Sequence, residues 1–495
     1  MRKFVLNLLF ILFIFPTVTE ADDNLGITLP ADGWPNIPLV IINTVDSVMP
    51  SCTLVQPPEG CNGLSITNNN YVYGSMSITQ KGVELYNSGK YEDGKSGMKI
   101  KVRGNTSAFL ECPHYKIKLT KKASLLYPHG EYKDWVLLKI NLITPNKYDV
   151  LNTVIGQKVS QMVGIEWQPK NEFVNLIING NYRGLYLLSD AVEVNKGRCE
   201  IEKTGYLIEN DSYWWNADSI FFRTNHQLPV MGYTYKYPDP DDVTDSITEN
   251  IRNYINSFED SLYSDTNTRN ISDYIDIPSF ASWILAHDIL GTQDMGGSNM
   301  FLYKKNFDVN DPTSTKLIMG PMWDFDTSYL ISDWTQHHVA NVLYFPTLFK
   351  RMDFVTQYVK TWDGIKNHLC NDMNNLLDSI YAAEGDDIDK SLLLDTQRWH
   401  SEFPTLRETV DFTKSWFATR VDWLNSHIGD LVSVAGTEQV PTVNDKTIRL
   451  YDIRGLLVGT YANLQEMKRA NLPKGVYIYQ TFDGGKKSSS SLLVR

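Results

Sequence analysis

FVNLIINGNYRGLYLL, Phe173 to Leu188, is two apolar runs around a short Gly180-Asn181 break. Both runs have the composition and length of strands, and Gly180 supplies the positive φ that a tight turn needs, so the segment reads as a β-hairpin. Upstream, Leu39 to Val45 reads as a buried strand. Met98 to Val102 (MKIKV) and Tyr115 to Leu119 (YKIKL) alternate apolar with basic residues, as half-buried strands do. Trp135 to Ile140 is a further strand, and residues 50–75, rich in Asn, Gly, Pro and Ser, read as loops. Val150, Val154, Ile155, Val159 and Met162 share one helical face, with Gly164 as the stop. Gly205 to Glu209 is one more strand.

Downstream of the hairpin the pattern changes. Helical spacing covers Ile247 to Leu262, Ile277 to Leu290 and most of 340–428, most clearly Trp416 to Ile428. Phe301 to Lys304 and Leu317 to Met319 are short strands flanking a polar turn. Strands first and helices later predict an α+β fold, with a strand-rich half over about 36–210 and a helical half over about 240–430. Residues 431–446 are small and polar and read as a linker. Thr447 to Ile453, Leu456 to Tyr461 and Gly475 to Thr481 then predict a small all-β module over 447–495.

The chain has 495 residues, 42% apolar and 21% charged, an ordinary globular composition that excludes disorder, collagen-like and coiled-coil readings for most of its length. A net charge of −12 argues against nucleic acid as a partner, because a nucleic-acid binder needs a basic face to replace counterions. Residues 1–21 have a basic start (Arg2-Lys3), a short apolar run from Phe4 to Phe15, and small residues before a cut after Ala21. That is the layout of a secretory signal. The expected mature protein is secreted or held at the cell surface, with no integral membrane segment, and residues 22–430 are its main domain. Export permits disulfides. Of the five cysteines, Cys52 and Cys61 are the first expected pair, and Cys112 with Cys199 the second.

Three polar segments can carry chemistry. Asp294 and Asn299 lie in DMGGSN just before the strand at 301, and Asp324 and Asp326 lie in WDFD just after the strand at 317. If those strands pair, Asn299 and Asp324 meet at one end, and oxygen donors there suit Mg²⁺ or Mn²⁺ with a phosphate substrate. Asp294 can accept a proton from an incoming hydroxyl. Lys116 and Lys118 share a face of one strand, Lys101 and Arg103 share a face of another, and the following turn, Arg103 to Ser107, can cradle an anion. The same Asp and Asn residues also suit turn caps. No G-x-x-x-x-G-K-[ST], H-R-D or G-x-S-x-G signature is present, which excludes P-loop, ordinary protein-kinase and α/β-hydrolase assignments. His287 and Asp288, adjacent on a predicted helix, read as packing or capping residues.

These segments, taken in order, resemble the spore-coat protein H family (CotH kinase family) of atypical secreted protein kinases. The similar pieces are RGNTS at 103–107, HYKIKL at 114–119, DWVLLKIN at 134–141, VNLIINGNYRGLYLL at 174–188, GYLIEND at 205–211, YKYP at 235–238, DMGGSNMFLYK at 294–304 and PMWDFD at 321–326. The resemblance spans roughly 36–430. It implies a distorted kinase-like fold that uses ATP and Mg²⁺ or Mn²⁺ to phosphorylate an extracytoplasmic protein. It implies Asp294 as catalytic base, Asn299, Asp324 and Asp326 as metal ligands, and Lys116 or Lys118 with Arg103 as holders of the ATP phosphates. Glu209 would orient that lysine or a nucleotide hydroxyl. The sequence departs from the family pattern at GTQD before Asp294 and at INLITPNKYDVLN (140–152). Two other functions stay open, an adhesion or binding protein on the same scaffold and a metal-dependent nucleotide-sugar transferase.

Overall fold

The structure is a computed structural model. It describes residues 25–431 and 447–494, except 62–64, 68–69, 127–129, 141–147, 217–219, 229, 265–269, 293, 327, 329–336, 338–341, 401, 453–456, 462–463, 471, 474–475 and 484–485. The expected signal and nearly all of the expected linker lie outside the described residues.

The first half is built from β1 (Leu39–Thr44), β2 (Leu54–Val55), β3 (Ser65–Ile66), β4 (Val72–Gln80), β5 (Val83–Asn87), β6 (Met98–Arg103), β7 (His114–Ala123) and β8 (Tyr132–Lys139). Helix α1 (Asn152–Met162) follows, then β9 (Asn171–Ile178) and β10 (Asn181–Asp190). Seven of these strands run β1-β9-β10-β8-β7-β6-β4, and β4 pairs back onto β1, which closes a barrel with β5 as a flap on β4. Closure removes the open edges that would otherwise template pairing with other chains. Met98, Ile100 and Val102 of β6, and Tyr115, Ile117 and Leu119 of β7, fill the barrel. Their basic neighbours Lys99, Lys101, Lys116 and Lys118 therefore point outward.

The β9–β10 hairpin turns through Asn179 (φ 51°) and Gly180 (φ 76°), so the turn sits one residue earlier than its Gly-Asn reading. Two left-handed residues match the twist of the strands they join. Val174, Leu176 and Leu188 face the barrel interior, while Phe173, Leu185 and Leu187 face the helical half. Covering both faces explains why the runs are continuously apolar. The sequence reading of 50–75 as loops misses β2, β3 and the start of β4, the strand that closes the barrel. The alternation of β4 is carried by Gly74, Met76 and Ile78, and with no side chain at Gly74 it is a weak signal amid polar neighbours.

The second sheet contains β11 (Tyr206–Asp211), β12 (Phe221–Phe222), β13 (Gly232–Tyr237), β14 (Met300–Lys304) and β15 (Ile318–Met322), in the order β12-β13-β11-β14-β15. Gly320 and Pro321 continue β15 past the strand end expected at Met319. Proline is tolerated there because β15 is the edge of its sheet and Pro has no N–H to contribute. Helices α2 (Asp245–Tyr263), α3 (Ile277–Leu290), α4 (Phe345–Leu348), α5 (Met352–Ile365), α6 (Leu369–Trp399) and α7 (Leu406–His427) make the helical half. Helix α3 is buried all round from Phe280 to Leu290. Asp276 caps its start by accepting the Ser279 N–H at 2.8 Å, and Gly291 (φ 59°) ends it. Each large apolar side chain it buries contributes roughly 1.5–3 kcal/mol relative to exposure. Helix α7 starts at a capping box, with Thr405 and Glu408 exchanging side-chain-to-backbone bonds.

The last strands, β16 (Thr447–Asp452), β17 (Leu457–Tyr461), β18 (Val476–Asp483) and β19 (Lys486–Val494), form a separate four-stranded sheet with a short helix α8 (Leu464–Arg469). The sequence reading anticipated neither α8 nor β19. No helix among the described residues is long and apolar enough to cross a membrane. All five cysteines are free thiols, contrary to the expected Cys52–Cys61 and Cys112–Cys199 pairs. Cys52 is engaged otherwise, its thiol donating to the Ala108 carbonyl at 3.4 Å, and Cys199 is buried beside Leu207 and Tyr303.

Candidate active site

Strands β14 and β15 pair Met300 with Met322. Asn299, just before β14, and Asp324, just after β15, therefore leave the hairpin at the same end, as the sequence spacing predicted. The Asn299 side-chain N–H donates to the Asp294 carbonyl at 2.9 Å, which commits the amide nitrogen and presents the side-chain oxygen as an acceptor. The segment before Asn299 is pinned to the end of β11. The Ser298 N–H donates to the Asn210 carbonyl at 3.0 Å, the Ser298 hydroxyl to Asp211, and the Ser212 hydroxyl to the Gly297 carbonyl at 3.0 Å. Ser298 (φ 112°) and Asp324 (φ 62°) both hold left-handed backbone conformations. Such residues cost about 1–3 kcal/mol each and persist only where surrounding contacts over-determine them.

One cavity of about 790 Å³ receives these groups, a size in the ordinary range for ligand sites. Asp294, Asn299, Asp324 and Asp326 line one part of it, and Lys101, Arg103, Lys116, Lys236 and Glu209 line another. The acidic part is under electrostatic stress. Burial raises the Asp324 carboxyl well above the ordinary range, the charges of Asp326 and Asp294 add to the rise, and Arg103 opposes it. Phe325, between the two acids, is anchored in the core beside His287, with ring centroids 6.0 Å apart.

The basic part begins at Arg103, whose guanidinium stacks over Trp323 at 5.2 Å. Burial works against its charge, while Asp324 and Glu209 support it. The turn that follows needs glycine, because Gly104 has φ 98° and a methyl group there would overlap the Ser107 hydroxyl. Lys101 loses its charge at about 8, through burial first and then repulsion from Lys116, Arg103, Lys236 and Lys99. His114 accepts the Lys139 N–H on Nδ1 at 2.8 Å, and burial with the neighbouring charges of Arg103 and Lys139 pushes it down to about 3, so the ring is neutral.

The two lysines that the sequence left unseparated differ in position. Lys116 lines the cavity and pairs with Asp134 at 3.0 Å, whereas Lys118 lies outside the lining and meets the same carboxylate at 3.8 Å. Glu209, expected to orient one of these lysines or a nucleotide hydroxyl, meets Lys236 on the adjacent strand β13 at 2.6 Å. Burial pushes Glu209 up to about 7 against the pull of Lys236. Lys101, read from the sequence as part of a basic strand face, does line the cavity, and Lys236 and Asp211 are lining residues that the sequence reading did not assign. For Lys236 the alternation Tyr235-Lys236-Tyr237 was the one available signal, and it does not reveal a partner on another strand. His287 and Asp288 form no triad. Asp288 is bound by Arg420, Tyr358 and His337, and His287 packs against Trp283 at 4.3 Å.

Among the described residues, no three His, Cys, Asp or Glu side chains converge as a self-sufficient metal cage. Two half-buried, mutually repelling carboxylates beside an amide oxygen are still a fitting donor set for a hard divalent cation, because Mg²⁺ takes one or two carboxylates and completes its shell with water and substrate phosphate. Asp324, Asp326 and Asn299 are the groups that would hold it, facing a cationic wall suited to the phosphates.

A family model described as CotH kinase protein matches residues 100–429. No curated protein matches the chain.

Proposed function

The chain belongs to the CotH kinase protein family, and from that premise we propose that it is an atypical protein kinase that transfers the ATP γ-phosphate to Ser or Thr of extracytoplasmic proteins. The observation that carries this reading is the single cavity with an acidic oxygen cluster and a cationic wall. In phosphoryl transfer the protein mainly positions the reactants and neutralises charge, so it needs both halves.

Lys101, Lys116 and Arg103 hold and neutralise the phosphates, and the Glu209–Lys236 pair keeps a further ammonium at that wall. Asp294 orients the acceptor hydroxyl and takes its proton. The hydroxyl oxygen bonds to the γ-phosphorus as the bond to the bridging oxygen of ADP breaks. Asn299, Asp324 and Asp326 would hold a Mg²⁺ or Mn²⁺, which would supply charge neutralisation to the phosphates. The apolar run at 4–15 supports placement of the protein outside the cytoplasm, as a secreted or surface protein.

The test is calorimetric titration of the protein with ATP, with and without Mg²⁺ or Mn²⁺, alongside Asp324→Ala. Metal-dependent binding lost in the variant is the expected result. Absence of binding with either metal overturns the kinase reading in favour of an adhesion protein, and turnover of sugar nucleotides in place of ATP overturns it in favour of a transferase.

A further inference from the structure

The cationic wall does not stop at the cavity. On the outer face of β6, Lys99 follows Lys101 away from Arg103, and on β7, Lys118 follows Lys116. The register sets Lys99 opposite Lys118 and Lys101 opposite Lys116, so the four lysines form a two-by-two block. Lys101 and Lys116 line the cavity, and Lys99 and Lys118 lie outside its lining. Asp134 ties the two parts together through its contacts with both Lys116 and Lys118. From Arg103 to Lys99 is four residues of strand, about 14 Å at ordinary strand rise, longer than a triphosphate chain.

Aromatic rings border this block. Tyr71 lies beneath Lys99 Nζ at 4.3 Å and Lys101 Nζ at 5.1 Å. Tyr73, opposite Lys99 in register, is exposed and packs on Tyr91 with centroids 4.7 Å apart. Such a floor restricts the lysine stems and offers contact area to a polypeptide. In a chain of net charge −12, this concentration of four lysines around one shared carboxylate, Asp134, is a local reversal of sign beside the cavity.

We propose that the Lys99–Lys118 face, with Tyr71 and Tyr73, is an exosite for an acidic stretch of the acceptor polypeptide, bearing Asp, Glu or phosphorylated side chains. The inference rests on the kinase reading and names the substrate class of that same site. Continuity with the cavity favours a partner that enters it. The short footprint favours a few side-chain anions over the long, regular charge of a nucleic acid.

The experiment uses the full chain and fluorescence anisotropy with three labelled peptides of one length. One is Glu-rich, one carries phosphoserine, and one has Gln in place of every acid. A single-stranded oligonucleotide serves as competitor, and Lys99→Glu is the variant. The acidic peptides should bind, the neutral one should not, and Lys99→Glu should weaken binding about tenfold, as should raised salt. The Glu and phosphoserine arms separate carboxylate from phosphate as the source of charge. With a serine included and ATP present, Lys99→Glu should raise KM for the acidic peptide while kcat stays unchanged. Equal binding of the neutral peptide, an unchanged affinity in Lys99→Glu, or an oligonucleotide that binds as tightly as the peptide overturns the exosite. Phosphate transfer without preference for acidic flanks also overturns it and leaves the kinase reading standing. Acidic-peptide binding lost in Lys99→Glu, with no transfer to any peptide, upholds the anion-binding surface and overturns the kinase reading.

Discussion

The Phe325 ring lies directly on Gly156 of α1, so close that a methyl group on Gly156 would overlap the ring carbons. This contact seats the residue between Asp324 and Asp326 and so sets where both carboxyls point. Gly156→Ala is expected to destabilise the fold by about 1–3 kcal/mol through overpacking. It should also lower metal-dependent nucleotide affinity by displacing the acids. Gly364 of α5 meets nothing within 4 Å, and Gly364→Ala should instead stabilise by about 0.4–1 kcal/mol. Denaturant melts and calorimetry on the pair check both signs.

Asp324 pays for its place in stability. It is half-buried beside two other acids and its backbone is left-handed. Asp324→Asn is therefore expected to stabilise the metal-free protein by about 0.5–2 kcal/mol while abolishing the added stabilisation from Mg²⁺ with ATP. Thermal unfolding with and without ligand reads both effects. A destabilised metal-free variant would contradict the electrostatic account.

Asp395 on α6 receives Lys139 from β8 and also accepts the Leu185 N–H of β10 at 2.7 Å. Both side chains are almost fully buried, and a methyl group on Gly184 would overlap the pair. Asp395→Ala should cost about 3–5 kcal/mol, because it strands the Lys139 charge in the protein interior. The double change Asp395→Leu with Lys139→Met should recover much of that loss, since it removes the charge along with its partner. Urea unfolding of the single and double variants measures the difference.

Lys101 gives the site a pH limit. Its ammonium is lost at about 8 in the folded protein, against 10.5 ordinarily. Nucleotide affinity should fall as pH rises from 7 to 9, as one cation leaves the phosphate wall. Stability moves the other way. Between about 8 and 10.5 the unfolded chain binds the proton that the folded one has released, so this residue's contribution to stability rises with pH across that window. Lys101→Met should flatten both profiles, checked by ATP titrations and melts over the same pH range.

The sequence alone determined whatever rests on neighbours along the chain. The β9–β10 hairpin follows from two apolar runs around Gly180, although its turn lies one residue earlier than the Gly180-Asn181 reading, and α1 follows from its spacing and Gly164. The meeting of Asn299 with Asp324 follows from the pairing of β14 with β15, which are adjacent strands of one hairpin. Only the tertiary structure decided the rest. Barrel closure depends on β4 reaching β1, and the alternation of β4 is faint until its partners are known. Lys116 and Lys118 are equivalent by period, and only the placement of the second sheet over one of them separates the two. Glu209 finds Lys236 because β13 lies beside β11, a register that local spacing does not encode. Cys52 and Cys61 likewise stay free, since nearness along the chain does not by itself bring two sulfurs together. Local hydrogen bonding and turn geometry act over a few residues, whereas these pairings are selected by burial across the whole fold.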